Sequence, residues 1–312
     1  MLAFLSCCCC GQGSYRTTDD PTTRASAEPS PTQSVEVQAY IPDQFGQPIG
    51  DFVKTYTDED RLSYLDYEIT KSRRVARTES QKGSTEIEYA VLRRKGKVVA
   101  QFDSSLDRLT KVRFGLFAFL GHNDRQLVIE QTSEKFWRYW LVSLEPDFRV
   151  IYDSGKYDLV YELRVIDIDG DGYSEIVQNL GSFWYFDSLD NLYSPRPPII
   201  FTYDSSVSTY LPANMHFEHV ALKDIQERIT KTVEVSERKD DPAYGLHVRS
   251  AVLDVVLRYL YSGRTPEAWT FYDQHYKIED KESLKVELIK KLGQDKLYRS
   301  LKEGQRPAGA ER

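Results

Sequence analysis

Residues 136–144 read Phe-Trp-Arg-Tyr-Trp-Leu-Val-Ser-Leu, and this stretch decides between the possible β architectures. Successive side chains of a strand point to opposite faces of its sheet, so the residues divide into two alternating sets. One set contains four bulky apolar residues, Phe136, Trp140, Val142 and Leu144. The other set contains Trp137, Tyr139 and Leu141. A sheet with one solvated face would carry polar residues in one set. The stretch therefore predicts a sheet covered on both faces, as in stacked blades or a sheet covered by helices.

Short β-type runs separated by turn residues extend on both sides of this strand. The sequence Arg93-Arg94-Lys95-Gly96-Lys97 lies between two such runs and is a hairpin signal. Residues 183–186 are read as one of the last strands. The 21 tyrosines and 14 phenylalanines also favour strands. We therefore predict a mostly antiparallel β domain over residues 86–205, built as a sandwich or an open covered sheet. This range is too short for a complete propeller, because four blades of about 40 residues would exceed it.

The apolar period becomes helical after about residue 221. Ile225, Ile229 and Val233 are spaced by four residues. Residues 243–262 carry a longer helical pattern that ends at Gly263, a typical helix stop. We therefore predict a C-terminal helical module over residues 206–303, which places the chain in the α+β class.

The remaining segments are less regular. Residues 35–85 have no single period and are assigned as partly helical, because charge and scattered apolar positions over 56–74 are compatible with a helix. Residues 11–34 are rich in Ser, Thr, Pro and Gly, and such a stretch buries too little surface to offset its chain entropy. We predict a disordered tether there and a disordered tail over residues 304–312.

All four cysteines are consecutive, from position 7 to position 10. Leu5-Ser6-Cys7 resembles the processing site of a bacterial lipoprotein signal. The stretch lacks a basic n-region, and its apolar part is shorter than the roughly 7–15 residues of a signal peptide. A start codon assigned too late would account for both departures. Residues 1–10 are therefore a candidate truncated lipoprotein signal, with a lipid on Cys7 or Cys8. The alternative is a cytoplasmic protein with no export signal.

The net charge and the length of the apolar runs limit the classes of partner that this chain can bind. The net charge of -7 argues against nucleic acid as a partner, because phosphate binding requires a basic face. No run reaches the roughly 18 consecutive apolar residues of a membrane-spanning helix. We therefore expect membrane contact only through the lipid anchor.

One motif indicates chemistry. Residues 165–176 read Val-Ile-Asp-Ile-Asp-Gly-Asp-Gly-Tyr-Ser-Glu-Ile. Carboxylates at alternate positions can converge on one Ca²⁺, a hard cation that takes six to eight oxygen ligands, if the chain curls tightly. Gly170 and Gly172 permit that curl, because glycine adopts backbone angles that other residues avoid. The predicted calcium ligands are the side chains of Asp167, Asp169, Asp171 and Glu175 and the backbone oxygen of Tyr173.

Two other interpretations of this loop were considered. An EF-hand requires a bidentate Glu at loop position 12 and a helix on each side, whereas this position is Gln178 and the flanks look like strands. The second alternative is a solvated Asp-Gly turn without an ion. Clustered carboxylates make that turn costly, because like charges raise each other's pKa.

The loop resembles the FG-GAP or VCBS type, which occurs in integrin-like propellers and in many exported bacterial proteins. The matching residues are Asp167, Asp169, Asp171, Glu175 and the hydrophobic Ile176. The resemblance covers about a dozen residues and implies that the loop braces a β-hairpin in an extracellular module. The sequence departs from a full propeller of this type because we find no second Asp-rich loop.

The aromatic run at 183–186 and the following Tyr193 contain a candidate binding face, with Trp184, Tyr185 and Tyr193 available to stack on sugar rings or to anchor a protein. Core packing is the alternative role for these rings. The resulting hypothesis is an exported, calcium-stabilised binding or structural module of the cell envelope that recognises protein or glycan. A glycan-acting hydrolase with an unrecognised carboxylate pair is the alternative. The sequence contains no signature of a catalytic nucleophile or a phosphate-binding loop that would favour an enzyme.

Overall fold

The computed structural model describes residues 47–48, 60–77, 84–104, 110–121, 125–133 and 136–304. Within these residues every sheet is antiparallel, and helices follow the last strand. The prediction of an α+β chain with a β domain followed by a helical module is confirmed. The lipidation candidates Cys7 and Cys8, the tether at 11–34 and most of the tail at 304–312 lie outside the described residues.

The strands form three successive meanders. The first sheet has the order β2-β3-β4-β5 and contains β2 (Arg61–Tyr64), β3 (Tyr67–Arg77), β4 (Ser84–Arg94) and β5 (Lys97–Phe102). The second has the order β6-β7-β8-β9 and contains β6 (Lys111–Phe117), β7 (Gln126–Thr132), β8 (Trp137–Ser143) and β9 (Arg149–Asp153). The third has the order β1-β10-β11-β12-β13 and contains β1 (Gln47–Pro48), β10 (Leu159–Ile166), β11 (Glu175–Leu180), β12 (Pro198–Asp204) and β13 (Thr209–Pro212).

The second sheet lies between two hydrophobic cores, and β8 shows this directly. Trp140 and Val142 belong to a core shared with Ile69 and Leu92 of the first sheet. The alternate residues of β8 point into another core, shared with the third sheet and the helices, and are Tyr139 and Leu141. Because strand side chains alternate between faces, bulky residues at every position are needed to fill both cores. The prediction that this strand is covered on both faces is confirmed.

Six helices follow. They are α1 (Glu218–Ala221), α2 (Ile225–Glu237), α3 (Tyr244–Tyr261), α4 (Thr265–His275), α5 (Lys281–Gln294) and α6 (Lys296–Gly304). Helix α3 is the most buried, with Val252, Val256 and Leu260 inside the core that also contains residues of the third sheet. Its end at Gly263 has a φ of 82°, a left-handed conformation that glycine adopts without steric cost. Among the described residues, no helix has the length and apolar character needed to cross a membrane.

The structure corrects three expectations. The helix expected within residues 35–85 is wrong for residues 61–77, which form β2 and β3. Tyr67 and Ile69 alternate with more exposed residues and are buried in the core between the first and second sheets. The β region is therefore wider than 86–205. The module assigned as helical from residue 206 begins with a strand, β13, because Tyr210 packs into the core against Tyr152. Residues 183–186 form tight turns rather than a strand.

Candidate functional site

The acidic loop connects β10 to β11 in the third sheet, and its C-terminal end is fixed to the segment that follows β6. The Ser174 amide donates to the carbonyl of Phe119, with 2.8 Å between the nitrogen and the oxygen. The Tyr210 hydroxyl donates to the carbonyl of Ser174 at 2.9 Å. Leu120 and Tyr173 also form an isolated antiparallel bridge. The C-terminal end of the loop is therefore held between β13 and the segment that follows β6, by backbone pairing on one side and a tyrosine hydroxyl on the other.

Two glycines and one aspartate produce the curl of the loop. Gly170 and Gly172 have φ values of 76° and 87°, which lie in the left-handed region. The two carboxylate oxygens of Asp167 accept the amide hydrogens of Gly170 and Gly172, at 2.8 Å and 3.1 Å. The first residue of the motif thus anchors the backbone at positions 4 and 6, and the curl that the two glycines were expected to permit is present.

The curl brings three of the predicted ligands together. Carboxylate oxygens of Asp167, Asp169 and Glu175 all lie within 4.8 Å of one another. Asp171 lies in the same loop, and its Oδ1 accepts the amide hydrogen of Tyr173 at 2.7 Å. The Asp167 and Asp169 side chains are exposed, so the cluster opens to solvent.

Glu175 differs from the aspartates because it is buried, with 1 % of its surface exposed. Its Oε2 accepts the amide hydrogen of Ile168 at 2.8 Å, and its Oε1 accepts the hydroxyl hydrogen of Thr202 at 3.1 Å. Burial raises the pKa of Glu175, the two hydrogen bonds oppose that rise, and the charges of Asp169 and Asp171 add to it. Thr202 comes from β12, and nothing in the sequence near the loop indicates it.

This arrangement suits a hard cation. Oxygen donors from short acidic side chains, one of them buried and fixed by two hydrogen bonds, form one side of a coordination shell. The exposed mouth leaves room for water ligands, which calcium sites commonly retain. A bound cation would also offset the charges of Asp169 and Asp171, which add to the rise in the pKa of Glu175 that burial causes.

A second candidate site lies at the other end of β11, where the chain turns after Leu180. Trp184 and Tyr185 place their rings at 20° to each other, with centroids 6.1 Å apart. The ring of Tyr185 is exposed, with 59 % of the residue accessible. The structure thus brings together two of the three rings expected in the binding face.

Neighbouring side chains hold Trp184 in position. Its indole N–H donates to the side-chain oxygen of Asn191. The Arg196 guanidinium lies 5.5 Å from the Trp184 ring centroid and 4.8 Å from that of Tyr161. Phe136 meets the Trp184 ring edge-on at 5.9 Å between centroids. The sequence did not predict the roles of Tyr161 and Arg196. Tyr161 reaches Trp184 because of the bulge in β10, and Arg196 reaches it because the segment before β12 folds back towards the turn.

The backbone around these rings is unusual. Tyr161, Tyr185, Asp187 and Ser188 have φ values of 64°, 58°, 48° and 66°. Residues other than glycine rarely adopt this left-handed conformation, and each instance costs of order 1–3 kcal/mol. The Asp187 carboxylate pairs with Arg249 of α3 at 2.9 Å, which ties the strained turn to the helical module.

Helix α5 forms the opposite wall of an open groove of about 380 Å³. The aromatic wall contributes Trp184, Tyr185 and Phe186, and α5 contributes Glu287, Lys290, Lys291 and Gln294. This volume lies near the lower end of the range of small-molecule sites. The sequence did not predict that residues of α5 line this groove. The amphipathic pattern of the helix indicates which of its residues are buried, but not which element its exposed residues face.

Tyr193 does not line this groove in the described structure. Its hydroxyl lies 3.2 Å from Nε2 of His247, and its carbonyl accepts the Ser250 hydroxyl hydrogen at 2.6 Å. Nδ1 of His247 lies 2.6 Å from Oδ2 of Asp241. These contacts connect the loop that carries Tyr193 to α3 and place the residue away from the groove lined by Trp184 and Tyr185.

No protein-family model, curated protein or solved structure matches this chain.

Proposed function

We propose that this chain is a calcium-stabilised binding or structural module of the cell envelope. The observation that carries the proposal is the convergence of the Asp167, Asp169 and Glu175 carboxylates at the mouth of the β10–β11 hairpin. Like charges at this separation repel, and a divalent cation removes that repulsion while satisfying the oxygens. The ion acts as a brace: it fastens the hairpin in a loop whose C-terminal end also bonds to the segment that follows β6.

The choice of calcium rests on the donor set and on the resemblance to FG-GAP or VCBS loops. All predicted donors are oxygens, which excludes the soft-ligand chemistry of zinc thiolate sites. Magnesium demands a smaller, near-octahedral shell and gives up its water reluctantly, so a loop with flexible aspartates favours calcium. Extracellular modules bind calcium at roughly 10⁻⁴–10⁻³ M, so the site would fill outside the cell.

Calorimetric titration of chelator-stripped protein tests the proposal. We expect one calcium per chain and much weaker heat with magnesium. Asp167→Ala should abolish the calcium signal, because this side chain both supplies oxygens and holds the curl. Asp190→Ala is the matched control, since Asp190 caps a separate turn by accepting from Leu192 and Tyr193. Calcium heat that persists in Asp167→Ala would refute the site.

The location is part of the same proposal. An acyl group on Cys7 or Cys8, followed by the tether at 11–34, would hold the module at a membrane surface exposed to calcium. Expressed in a bacterium from its gene with the natural flanking DNA, the protein should incorporate an alkynyl fatty acid. Replacement of Cys7–Cys10 by Ser should prevent the labelling and release the protein from membranes. Wild-type protein recovered unlabelled in the cytosol would contradict export.

A binding role fits the aromatic groove better than hydrolysis does. The groove contains two carboxylates, Asp187 and Glu287, but each already faces a cation. Asp187 pairs with Arg249, and Glu287 lies 3.5 Å from Lys290. A glycosidase requires two carboxyl groups that flank the scissile bond and act on it directly, whereas both carboxylates here are already paired with cationic side chains. The observations therefore favour recognition, of protein or glycan, over cleavage.

A further inference from the structure

We propose that the groove between the 182–187 turn and α5 is a saccharide-binding site. The inference deepens the proposed binding role and rests on it. The groove and the acidic loop lie at opposite ends of β11, about 17 Å apart at roughly 3.3 Å per residue, and they share no residue. The two proposals can therefore fail separately.

The first argument is the shape of the aromatic wall. Pyranose rings present C–H groups on their flat faces, and these faces pack against the faces of aromatic rings. Tyr185 stacks on Trp184 at the wall of the groove, with ring planes 20° apart and centroids 6.1 Å apart. Trp184 therefore supports the Tyr185 ring from one side, and Tyr185 supplies the surface that a sugar can meet. The exposure of Tyr185 leaves its ring available to a ligand.

The second argument is the polarity of the facing wall. Sugar hydroxyls both donate and accept hydrogen bonds, so they require both kinds of partner. Helix α5 supplies donors from Lys290 and Lys291, an acceptor from Glu287, and both from the amide of Gln294. A hydrophobic peptide anchor would instead require an apolar pocket on this side.

The third argument is pre-organisation. Tyr185 and Asp187 both hold left-handed backbone conformations, and Arg249 fixes the turn through the Asp187 carboxylate and the Asp187 carbonyl. Backbone strain of this kind persists only where surrounding contacts enforce it, and it concentrates at ligand sites. Here the strain presents the Tyr185 ring to the groove instead of burying it in the core beside Phe183. A ligand therefore meets a wall that is already ordered, which reduces the entropic cost of binding.

The test is a broad array of neutral, N-acetylated and acidic glycans probed with the full chain in millimolar calcium. The best-bound oligosaccharide is then measured by calorimetry. We expect Tyr185→Ala to weaken its affinity about tenfold or more, the effect of losing an aromatic hot spot. Tyr185→Phe keeps the ring face and should remain within about threefold of wild type. Lys291→Met should weaken binding through the other wall.

Val207→Ala is the matched control, because Val207 is exposed to a similar extent, 55 %, on the β12–β13 turn. It should bind as wild type does. Binding of no glycan on the array would overturn the proposal. Glycan binding that survives both Tyr185→Ala and Lys291→Met would overturn it as well, and so would Tyr185-dependent binding of a purified envelope protein with no glycan attached. A calcium titration on the same samples reports separately on the loop.

Discussion

The carboxylate of Glu175 accepts a hydrogen bond from the backbone amide of Ile168 at 2.8 Å, so the first residue of β11 is bonded to the second residue of the acidic loop. This bond closes the loop across its base. The same carboxylate accepts from Thr202 on the next strand, so the closure extends into the sheet. A cation at the mouth would add to a ring that already exists, which makes it a brace for the folded state.

Calcium should raise the melting temperature of the protein, and chelation should lower it. A ligand that binds only the folded state adds about 2.7 kcal/mol at 100 times its dissociation constant. Asp169→Ala should remove the difference between calcium and chelator in a calorimetric melt. Asp204→Ala, which breaks an exposed turn bonded to Ser206, should lower stability slightly and keep the calcium response. Identical melts with and without calcium would exclude the brace.

The burial of Glu175 should give the calcium-free protein a distinctive pH dependence. Its pKa is raised in the folded state, so the folded protein retains the proton over a window that begins near the ordinary value of 4.5. Within that window the folded state binds more protons than the unfolded state, so the free energy of unfolding falls as pH rises. Glu175→Gln carries no titratable group and should not show this fall. Denaturation of wild type and Glu175→Gln in chelator at several pH values gives the free energy of unfolding of each protein. The difference between the two curves isolates the contribution of Glu175, and curves that run parallel across the window would contradict the prediction.

A buried charge network joins α2 to α3 and should be essential to the helical module. Arg258 and Asp224 are both nearly inaccessible and lie 3.2 Å apart, and Arg228 bonds Asp224 at 2.7 Å. Asp224→Ala would leave Arg228 and Arg258 with Asp254 as their shared carboxylate partner. Removing one member of such a buried charge network typically costs about 3–5 kcal/mol. The exposed pair of Arg264 and Glu267 is the control, where Glu267→Ala should leave the urea midpoint nearly unchanged because exposed ion pairs contribute little to stability. Urea denaturation measures both, and equal costs would refute the assignment.

Phe183 and Tyr185 should separate the structural and functional roles of the aromatic run. Phe183 is fully buried beside Phe186, and Phe183→Ala should cost about 3–5 kcal/mol of stability. Tyr185→Gly removes an exposed ring from a left-handed backbone and should change stability by about 1 kcal/mol or less. Chemical denaturation compares the two variants. A large loss with Tyr185→Gly would assign the ring to the core and remove the basis of the groove proposal.

Gly181 should tolerate no side chain, because it starts the turn that leads to the groove. A Cβ at this position would lie 2.5 Å from Val160 Cγ1 and 2.8 Å from the carbonyl oxygen of Asp158. The carbonyl is backbone and accepts from the Gly181 amide, so it cannot move away without breaking that bond. Gly181→Ala should therefore cost about 1–3 kcal/mol, the usual effect of overpacking. Gly245 lies in the first turn of α3 with open space around it, so Gly245→Ala should leave stability unchanged or raise it slightly in the same thermal melts, because alanine favours a helix more than glycine does.

Features that depend on local periodicity and on local turn chemistry could be predicted from the amino-acid sequence alone. Bulky residues in both alternating sets of β8 required two covered faces, and the acidic loop curled because its own glycines permit it. Helix α3 ended at Gly263 for the same kind of reason. In each case the deciding interactions lie within one strand, one loop or one helix end.

Features that depend on contacts between residues far apart in the chain could be recognised only in the folded structure. Residues 61–77 carry a mixed pattern, and they become strands because β3 pairs with β4 along its whole length. Thr202 reaches Glu175 only through the pairing of β11 with β12. The groove requires α5 to pack opposite a turn about 100 residues earlier, and no periodicity records such a contact, because packing between distant elements leaves no regular spacing in the sequence.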